Sequence, residues 1–468
     1  MLNVLSILSV VIGLTILIAG EIFKRRLKVY TSSKIMERLK KRTTTFGIGV
    51  VLILMGGVLQ LTNLHLSDDS ITNSHKLQLS ETMGTNIHEL QWSANFSLMN
   101  DYGVSISRDA LVWSIIEKKK GTYDFVHNGE INYDNFIENM ENNHLRPYLM
   151  LLYTNDLYNN HMALDNERVK QGYANWAAAS AKRYKNKNII WEIYNEPNGE
   201  WFWTPQENSA QNYADVVKRT APLIRKNDPS GLVVAPALAE VEDWSLKWLE
   251  DTLKEGILDY VDAIAVHPYR TSNPETVMEG YDKIRSLIAK YTTRNIPLIS
   301  GEWGYSNVPN WNNQGASYIV ADELQQAQYN TRMLLINQSQ NIRASIVYDW
   351  KDDGQDATLV EHHFGLMNYD QTAPKQAGLA FKVLSDTLGQ YQFVERINIG
   401  NGNDYLMKYT NHKKQTAYAF WTTSDDHIFT FKGKVNGEII KMLGEKNSIN
   451  EKNPSLELTK SPSYLIIR

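Results

Sequence analysis

The chain has 468 residues, 43% hydrophobic and 10% aromatic, which is enough for one large domain with smaller pieces and a sizeable core. It contains no Cys, so disulfides and thiolate metal sites are excluded. Its net charge of −4 is unevenly spread: residues 1–62 hold nine Lys/Arg against two acids, which leaves the rest at −11. Nucleic acid needs a basic footprint, so an acidic main body argues against such a partner.

The first expected element is a membrane hairpin over residues 1–62. Val4 to Phe23 is almost wholly apolar and long enough, at about 1.5 Å per residue, to cross a bilayer. No Lys or Arg precedes it, so it lacks the charged start of a signal peptide. A second apolar run covers Phe46 to Leu61, and the whole basic cluster, Lys24 to Arg42, lies between the two. Loops with such an excess stay in the cytoplasm. The expected topology puts the basic loop inside and everything after about residue 63 outside, with the protein in the cell membrane. The alternative is one span with an interfacial second segment, which would leave the main body in the cytoplasm.

Residues 63–80 read as a linker, since Ser67–Ser80 is polar and short of large apolar side chains. Beyond it, β-prone runs recur at Met83–Ile87, Gly103–Ser107, Leu145–Leu152, Asn188–Tyr194, Leu232–Pro236, Val261–His267, Pro297–Gly301 and Ala344–Trp350. Segments between them, such as Asn166–Tyr184, Asn208–Lys226 and Pro274–Tyr291, carry helical apolar spacing. Strands alternating with helices predict an α/β fold with a parallel sheet, and eight units over 81–390 fit a (β/α)8 TIM barrel. An open doubly wound sheet is the alternative, but no Gly-rich dinucleotide turn favours it. From 391 to 468 short alternating segments predict a small antiparallel, β-sandwich-like domain. Asn401-Gly402 and Asn436-Gly437 are read there as hairpin turns. A structural role for this domain competes with carbohydrate binding.

Two apolar runs end on carboxylates: Ile189–Pro197 (IIWEIYNEP) and Ile299–Gly304 (ISGEWG). Glu196 and Glu302 stand 106 residues apart, or three βα units of about 35 residues, which places them after the fourth and seventh strands. Barrels keep their chemistry at that end of the strands. Two carboxyls facing one pocket are the minimum equipment for breaking a glycosidic bond: one protonates the leaving oxygen and the other attacks or stabilises the anomeric carbon. Glu196 is assigned as general acid/base and Glu302 as nucleophile. Gly301 would allow close approach, and Trp303 and Tyr305 would wall the pocket. Taken singly, each Glu could be a surface carboxylate at a strand end.

These motifs, with Gly103–Phe125, Val266–Tyr269 and Phe364–Met367, resemble the clan A glycoside hydrolases near families 5 and 39. The resemblance implies a retaining mechanism without cofactor or metal. By motif match it implies that Arg108 lies near the nucleophile and that Asn195 bonds the sugar 2-hydroxyl. It further implies that His267 and Tyr269, with His88 after the first strand, line the subsite of the cleaved sugar, and that Trp350 is its aromatic floor. Ordinary alternatives are an Arg108–Asp109 pair and satisfied core histidines. Trp201, Phe202, Trp203, Trp244 and Trp248 are candidate cleft walls, although the last two, four apart, also fit a buried helix face. Glu361-His362-His363 is discounted as a metal site because adjacent histidines point differently. The expected function is a membrane-anchored retaining glycoside hydrolase, endo-acting on β-bonds of an extracellular polysaccharide. An exo-β-glycosidase (xylosidase-like), a transglycosylase and a non-catalytic polysaccharide-binding or assembly protein are the alternatives.

Overall fold

The computed structural model describes residues 76–310 and 318–468. Both runs of the expected membrane hairpin and the start of the linker lie outside the described residues. Among the described residues no helix is long and apolar enough to cross a membrane.

Eight parallel strands close into a barrel in sequence order: β1 (Met83–Asn86), β2 (Ile106–Val112), β3 (Arg146–Leu152), β4 (Ile190–Ile193), β5 (Leu232–Ala239), β6 (Ala263–His267), β7 (Leu298–Trp303) and β8 (Ser345–Val347). β8 pairs with β1 to complete the ring. Helices between the strands cover it outside. In Glu167–Arg183 the Asn166 side chain accepts the Val169 N–H as N-cap, Glu167 stands in the first turn and Lys182 and Arg183 in the last. These charges complement the helix dipole. Val169, Tyr173, Trp176, Ala177 and Ser180 form its buried face at helical spacing.

β2 is displaced from its expected position at Gly103–Ser107. Gly103, with φ 87°, belongs to the turn after the helix Phe96–Asp101, and an added Cβ there would lie 1.9 Å from Ser385 Oγ. The strand instead runs through Arg108 and Asp109, both buried. That charged pair looks like a strand end in sequence, yet it is strand interior, so Arg108 points from within β2.

The barrel interior is layered. Its lower part is apolar, packed by Ile106, Tyr148, Ile190, Leu232, Val234, Ala263, Ala265, Ile299 and Ile346. Gly84 is required there, because a Cβ would sit 2.4 Å from Ile346 Cδ1. At the carboxyl ends of the strands the lining turns polar, with Asn86, Arg108, Glu192, His267 and Glu302.

After the helix Gln376–Leu388 come β9 (Tyr391–Arg396), β10 (Asp404–Asn411), β11 (Thr416–Thr422), β12 (His427–Thr430), β13 (Lys434–Lys441), β14 (Lys446–Lys452), β15 (Ser455–Leu458) and β16 (Ser463–Ile467). Six form an antiparallel sheet in the order β14-β13-β16-β11-β10-β9, and β12 pairs with β15. Period-two alternation splits the sheet. Leu406, Phe420, Val435 and Leu465 pack with Leu456 and Leu458 of β15. Met407, Tyr409, Ala417, Ala419, Trp421 and Tyr464 join the barrel core. Asn401-Gly402 lies in the turn between β9 and β10, closed by Asp404 N–H to Asn401 O at 3.2 Å. Asn436-Gly437 is no turn but the middle of β13. Gly437 serves close approach instead, since a Cβ would lie 2.1 Å from Ile466 O on β16.

A buried polar seam joins sheet and barrel. Glu275 accepts from Trp421 Nε1 at 2.8 Å and from Arg332 Nε and Nη2 at 2.7 and 2.6 Å. Tyr405 stacks on Trp421 at 4.7 Å. Lys76 Nζ donates to Phe393 O and Val394 O, so from residue 76 the chain lies against β9. Glu275→Ala strands the buried Arg332 charge and is expected to cost about 3–5 kcal/mol in urea unfolding; a loss below about 1 kcal/mol would show that the seam is solvated.

Candidate active site

Arg108 organises the site. Its guanidinium is fully buried, and Nη1 donates to Asn86 Oδ1 (3.0 Å) and Glu302 Oε2 (2.6 Å). Nη2 donates to Glu192 Oε1 (2.7 Å) and Asn195 Oδ1 (2.8 Å) and meets His267 Nε2 at 3.3 Å. Burial by itself works against this charge, but the Glu192 and Glu302 carboxylates hold it firmly protonated. The Asp109 carboxylate instead accepts the Glu89 and Ala110 N–H groups. Burial pushes Asp109 up to about 6 and Glu89 up to about 7.

A guanidinium can only donate, so each bonded neighbour must accept. His267 Nε2 lies 3.3 Å from Nη2, whose two hydrogens go to Glu192 and Asn195, and His267 Nδ1 stands 2.7 Å from Glu196 Oε1. Asn86 presents Oδ1 to Arg108 and hence Nδ2 to His88 Nε2 at 3.3 Å. His88 then carries its proton on Nδ1 and donates to Asp353 Oδ2 at 2.9 Å. The His88 tautomer thus follows from Arg108 through Asn86.

The two expected carboxyls converge. One oxygen of Glu196 and one of Glu302 lie within 4.8 Å of each other, beside His267. Glu196 stands in the left-handed region at φ 47°, directly after β4. Its Oε2 accepts from Trp201 Nε1 at 2.7 Å. Glu302, near the end of β7, accepts the Tyr269 hydroxyl on Oε1 at 2.9 Å and Arg108 on Oε2. Burial works to push the Glu302 carboxyl up; the His267 imidazole when charged, the Arg108 guanidinium and the Tyr269 hydroxyl outweigh it and hold the carboxyl below its usual range.

Two groups of three donors could in principle converge on a cation: Glu196, His267 and Glu302, and His88, Asp349 and Asp353. In each, the imidazole nitrogen on that side meets a carboxylate of the same group, His267 Nδ1 with Glu196 and His88 Nδ1 with Asp353. Asp349 is buried with neither oxygen hydrogen-bonded, Oδ2 lying 3.7 Å from His88 Nδ1, and burial with the neighbouring Asp353 and Asp352 pushes its carboxyl well up. His362 Nδ1 accepts the Asp356 N–H, and His363 Nε2 meets Asp356 O.

A cleft of about 270 Å³ opens beside Glu302, lined by Asn86, His88, Asp109, Tyr153, Asn195, Phe202 and Tyr348 among others. The expected aromatics divide. Trp201 is 54% exposed beside Glu196 and meets Trp244, 43% exposed, edge to face. Phe202 stacks on Tyr153 at 5.1 Å. Trp203 does not reach the cleft: it is buried between Tyr194 and Tyr213. Trp303 alternates away from Glu302 along β7 and donates to Ser345 Oγ in the core. Tyr305 is likewise buried, against Tyr329. Trp248 packs on Tyr213. Trp350 is also buried, donating to Gln371 and meeting Tyr102, so the aromatic ring at the end of β8 that faces the cleft is Tyr348. Tyr348 contacts His88, Tyr269 and Phe364 edge to face.

Sequence reasoning missed Glu192, Tyr148, Asn86, Tyr153 and Tyr348. Glu192 left a signal: a carboxylate amid a fully buried apolar strand needs a partner, and it has both Arg108 and the Tyr148 hydroxyl. Arg108→Met strands Glu192 and Glu302 and is expected to lower stability by about 3–5 kcal/mol in denaturant unfolding. Adding Glu192→Gln should return at least about 1 kcal/mol of that loss; no recovery would place the cost elsewhere.

Residues 69–353 match the cellulase family, described as Cellulase (glycosyl hydrolase family 5). No curated protein matches the chain. Among solved structures, a family 39 glycoside hydrolase from the gut symbiont Bacteroides cellulosilyticus WH2 is similar at 20% identity, over 84% of this chain and 82% of that one, with a TM-score of 0.70. A glucosidase from Croceicoccus marinus aligns at 12% identity over 85% and 98% of the two chains, with a TM-score of 0.60. A GH30 endoxylanase from Clostridium papyrosolvens C71 aligns at 14% identity over 85% and 98%, with a TM-score of 0.57. At these identities the likeness is one of fold. The family match spans most of the barrel, from before β1 to just past β8, and by it this chain belongs to the cellulases of glycosyl hydrolase family 5, within the clan A glycoside hydrolases.

Proposed function

We propose that the protein is a retaining β-glycosidase that cleaves internal bonds of a polysaccharide by double displacement. The observation that carries this reading is the approach of Glu196 and Glu302 oxygens to within 4.8 Å. A retaining pair stands about 5–5.5 Å apart, whereas an inverting pair needs about 6.5–9.5 Å to admit water.

In this reading Glu302, kept ionised by Arg108 and Tyr269, attacks the anomeric carbon while Glu196 gives its proton to the departing oxygen. The glycosyl ester removes the Glu302 charge. Glu196 then takes a proton from water, which attacks the same carbon and releases Glu302. Asn195 is held by Arg108 through Oδ1, which turns its amide nitrogen toward Tyr153 and the cleft, where it would meet the sugar 2-hydroxyl. Tyr348 and His88 would face the ring of the cleaved sugar. The open cleft and the exposed Trp201 and Trp244 favour chain-internal cleavage over exo action. The apolar runs Val4–Phe23 and Phe46–Leu61, flanking the basic cluster, support anchoring in the cell membrane with the barrel outside, where it would meet polymer leaving the cell.

Hydrolysis of a β-linked oligosaccharide followed by NMR should release the β-anomer first; the α-anomer first would end the retaining reading. Glu302→Gln should lower kcat by at least about 10³-fold. Glu196→Ala with azide and a dinitrophenyl glycoside should yield the β-glycosyl azide, and no azide adduct would remove Glu196 from the acid/base role. Because the Glu302 carboxyl is held low in the folded protein, its ionisation persists above that lowered value and is lost only as pH falls through it. The acid limb of kcat/KM is therefore expected to fall below the ordinary carboxylate range.

A further inference from the structure

Arg108 serves two carboxylates at once. Its four terminal N–H groups are all taken: Nη1 by Asn86 and Glu302, Nη2 by Glu192 and Asn195. The double-displacement reaction has a use for the charge on Glu302. It has none for Glu192, which lies 2.7 Å from the same cation and is fully buried on β4. Glu192 accepts on both oxygens. Oε1 takes Arg108 Nη2, and Oε2 takes the Tyr148 hydroxyl. Burial and the Glu192 charge push that hydroxyl well above its usual range, so it keeps its proton and donates. Arg108 also lies over the Tyr148 ring, 5.6 Å from its centre. Glu192 is thus a second anion built onto the guanidinium that holds the nucleophile.

We propose that Glu192 is a positioning residue that acts through Arg108: by holding a share of its charge, it sets how tightly the guanidinium grips Glu302. This rests on the double-displacement reading above. With Glu302 ionised, one cation serves two anions. When Glu302 forms its ester with the sugar, its charge is gone, and Arg108 and Glu192 remain as a neutral pair. No lone buried cation is then left beside an anomeric carbon that carries positive charge in both transition states. Without Glu192, Arg108 would grip Glu302 alone. The carboxylate would be less basic and slower to attack. For the same reason it would leave the ester more readily in the second step. Glu192 therefore speeds ester formation and restrains ester breakdown.

The test uses the full chain and Glu192→Gln, which keeps the shape of the side chain and removes its charge. Dinitrophenyl β-glycosides with fluorine in place of the sugar 2-hydroxyl (glucoside, xyloside and cellobioside) separate the two steps, because the ester at Glu302 forms and then breaks down slowly. Ester formation, read as dinitrophenolate release, should slow by about 10-fold in Glu192→Gln, and ester breakdown should quicken by at least about 3-fold. A residue needed only for stability slows both steps or neither, and either result overturns the proposal. A second reading needs no substrate. The Glu302 midpoint is followed as the infrared carboxyl band absent from Glu302→Gln. Against burial, the His267 imidazole when charged, Arg108 and Tyr269 already hold it low, and with the opposing Glu192 charge gone it should move further down. A midpoint that stays or rises overturns the proposal too. The other titratable groups facing Glu302 are Glu196, His88, Glu361, Tyr153, Tyr318 and Tyr348, and the substitution leaves them in place. If Glu192→Gln fails to fold, Tyr148→Phe tests the same balance with the opposite sign: it takes a donor from Glu192, turns more of that charge onto Arg108 and should move the midpoint up. If no fluoroglycoside labels the unmutated protein, the double-displacement reading fails on its own, and the midpoint still decides the sharing.

Discussion

One buried guanidinium fixes the chemistry of the barrel mouth. Arg108 reaches Asn86, Glu192, Asn195, His267 and Glu302 from the centre of the ring. A charge so deep is tolerated only with close, well-oriented partners, and both terminal nitrogens have them while Nε has none. The five partners come from four other strands or strand ends, so closing the barrel and completing the ion cluster are the same event. Because Arg108 cannot accept, its direction propagates outward: through Asn86 it sets the His88 tautomer. The proton position facing Asp353 is thereby decided by a residue that does not touch it.

The layering of the interior explains why this cluster can exist. Below it, Ile106, Ile190, Val234, Ile299 and Ile346 fill the barrel with apolar volume, and Gly84 is kept bare to let them meet. That plug supplies burial stabilisation and keeps water from the floor. Above it, strand ends supply the polar side chains. The low-dielectric floor strengthens each interaction in the mouth, which is why Glu302 stays ionised despite its burial.

Outside the barrel, the second sheet has a structural task that its own two faces define. One face closes over β15; the other docks on the barrel, pinned by Trp421 on Glu275 and Arg332. This brings the sheet against the helix Glu323–Ser339 and the turn at Pro274, away from Glu196 and Glu302. The exposed aromatic pair Trp201 and Trp244 stands elsewhere: Trp201 lies in the loop after β4, beside Glu196, and Trp244 in the first turn of the helix Asp243–Lys254 that follows β5.

The sequence by itself determined the period and the order of the strands, while several of their ends, β2 above all, were set by the closed barrel. Eight apolar runs alternating with helical segments allow a parallel sheet, and IIWEIYNEP and ISGEW place Glu196 and Glu302 at equivalent ends because the unit length is regular. Where local pattern misled, a tertiary neighbour was the cause. Asn436-Gly437 reads as a turn but is strand, its Gly demanded by the approach of β16. Arg108 reads as a strand end but is interior, because partners on β1, β4 and β7 absorb its charge. Trp203, Trp303 and Trp350 fit a sugar cleft by composition, yet side-chain direction along strand and loop turns them into the core, and Tyr348 takes the cleft-facing place. Residue type and spacing decide which element a side chain sits on; which way it faces, and which charge meets it there, is settled only when strands distant in sequence close into one ring.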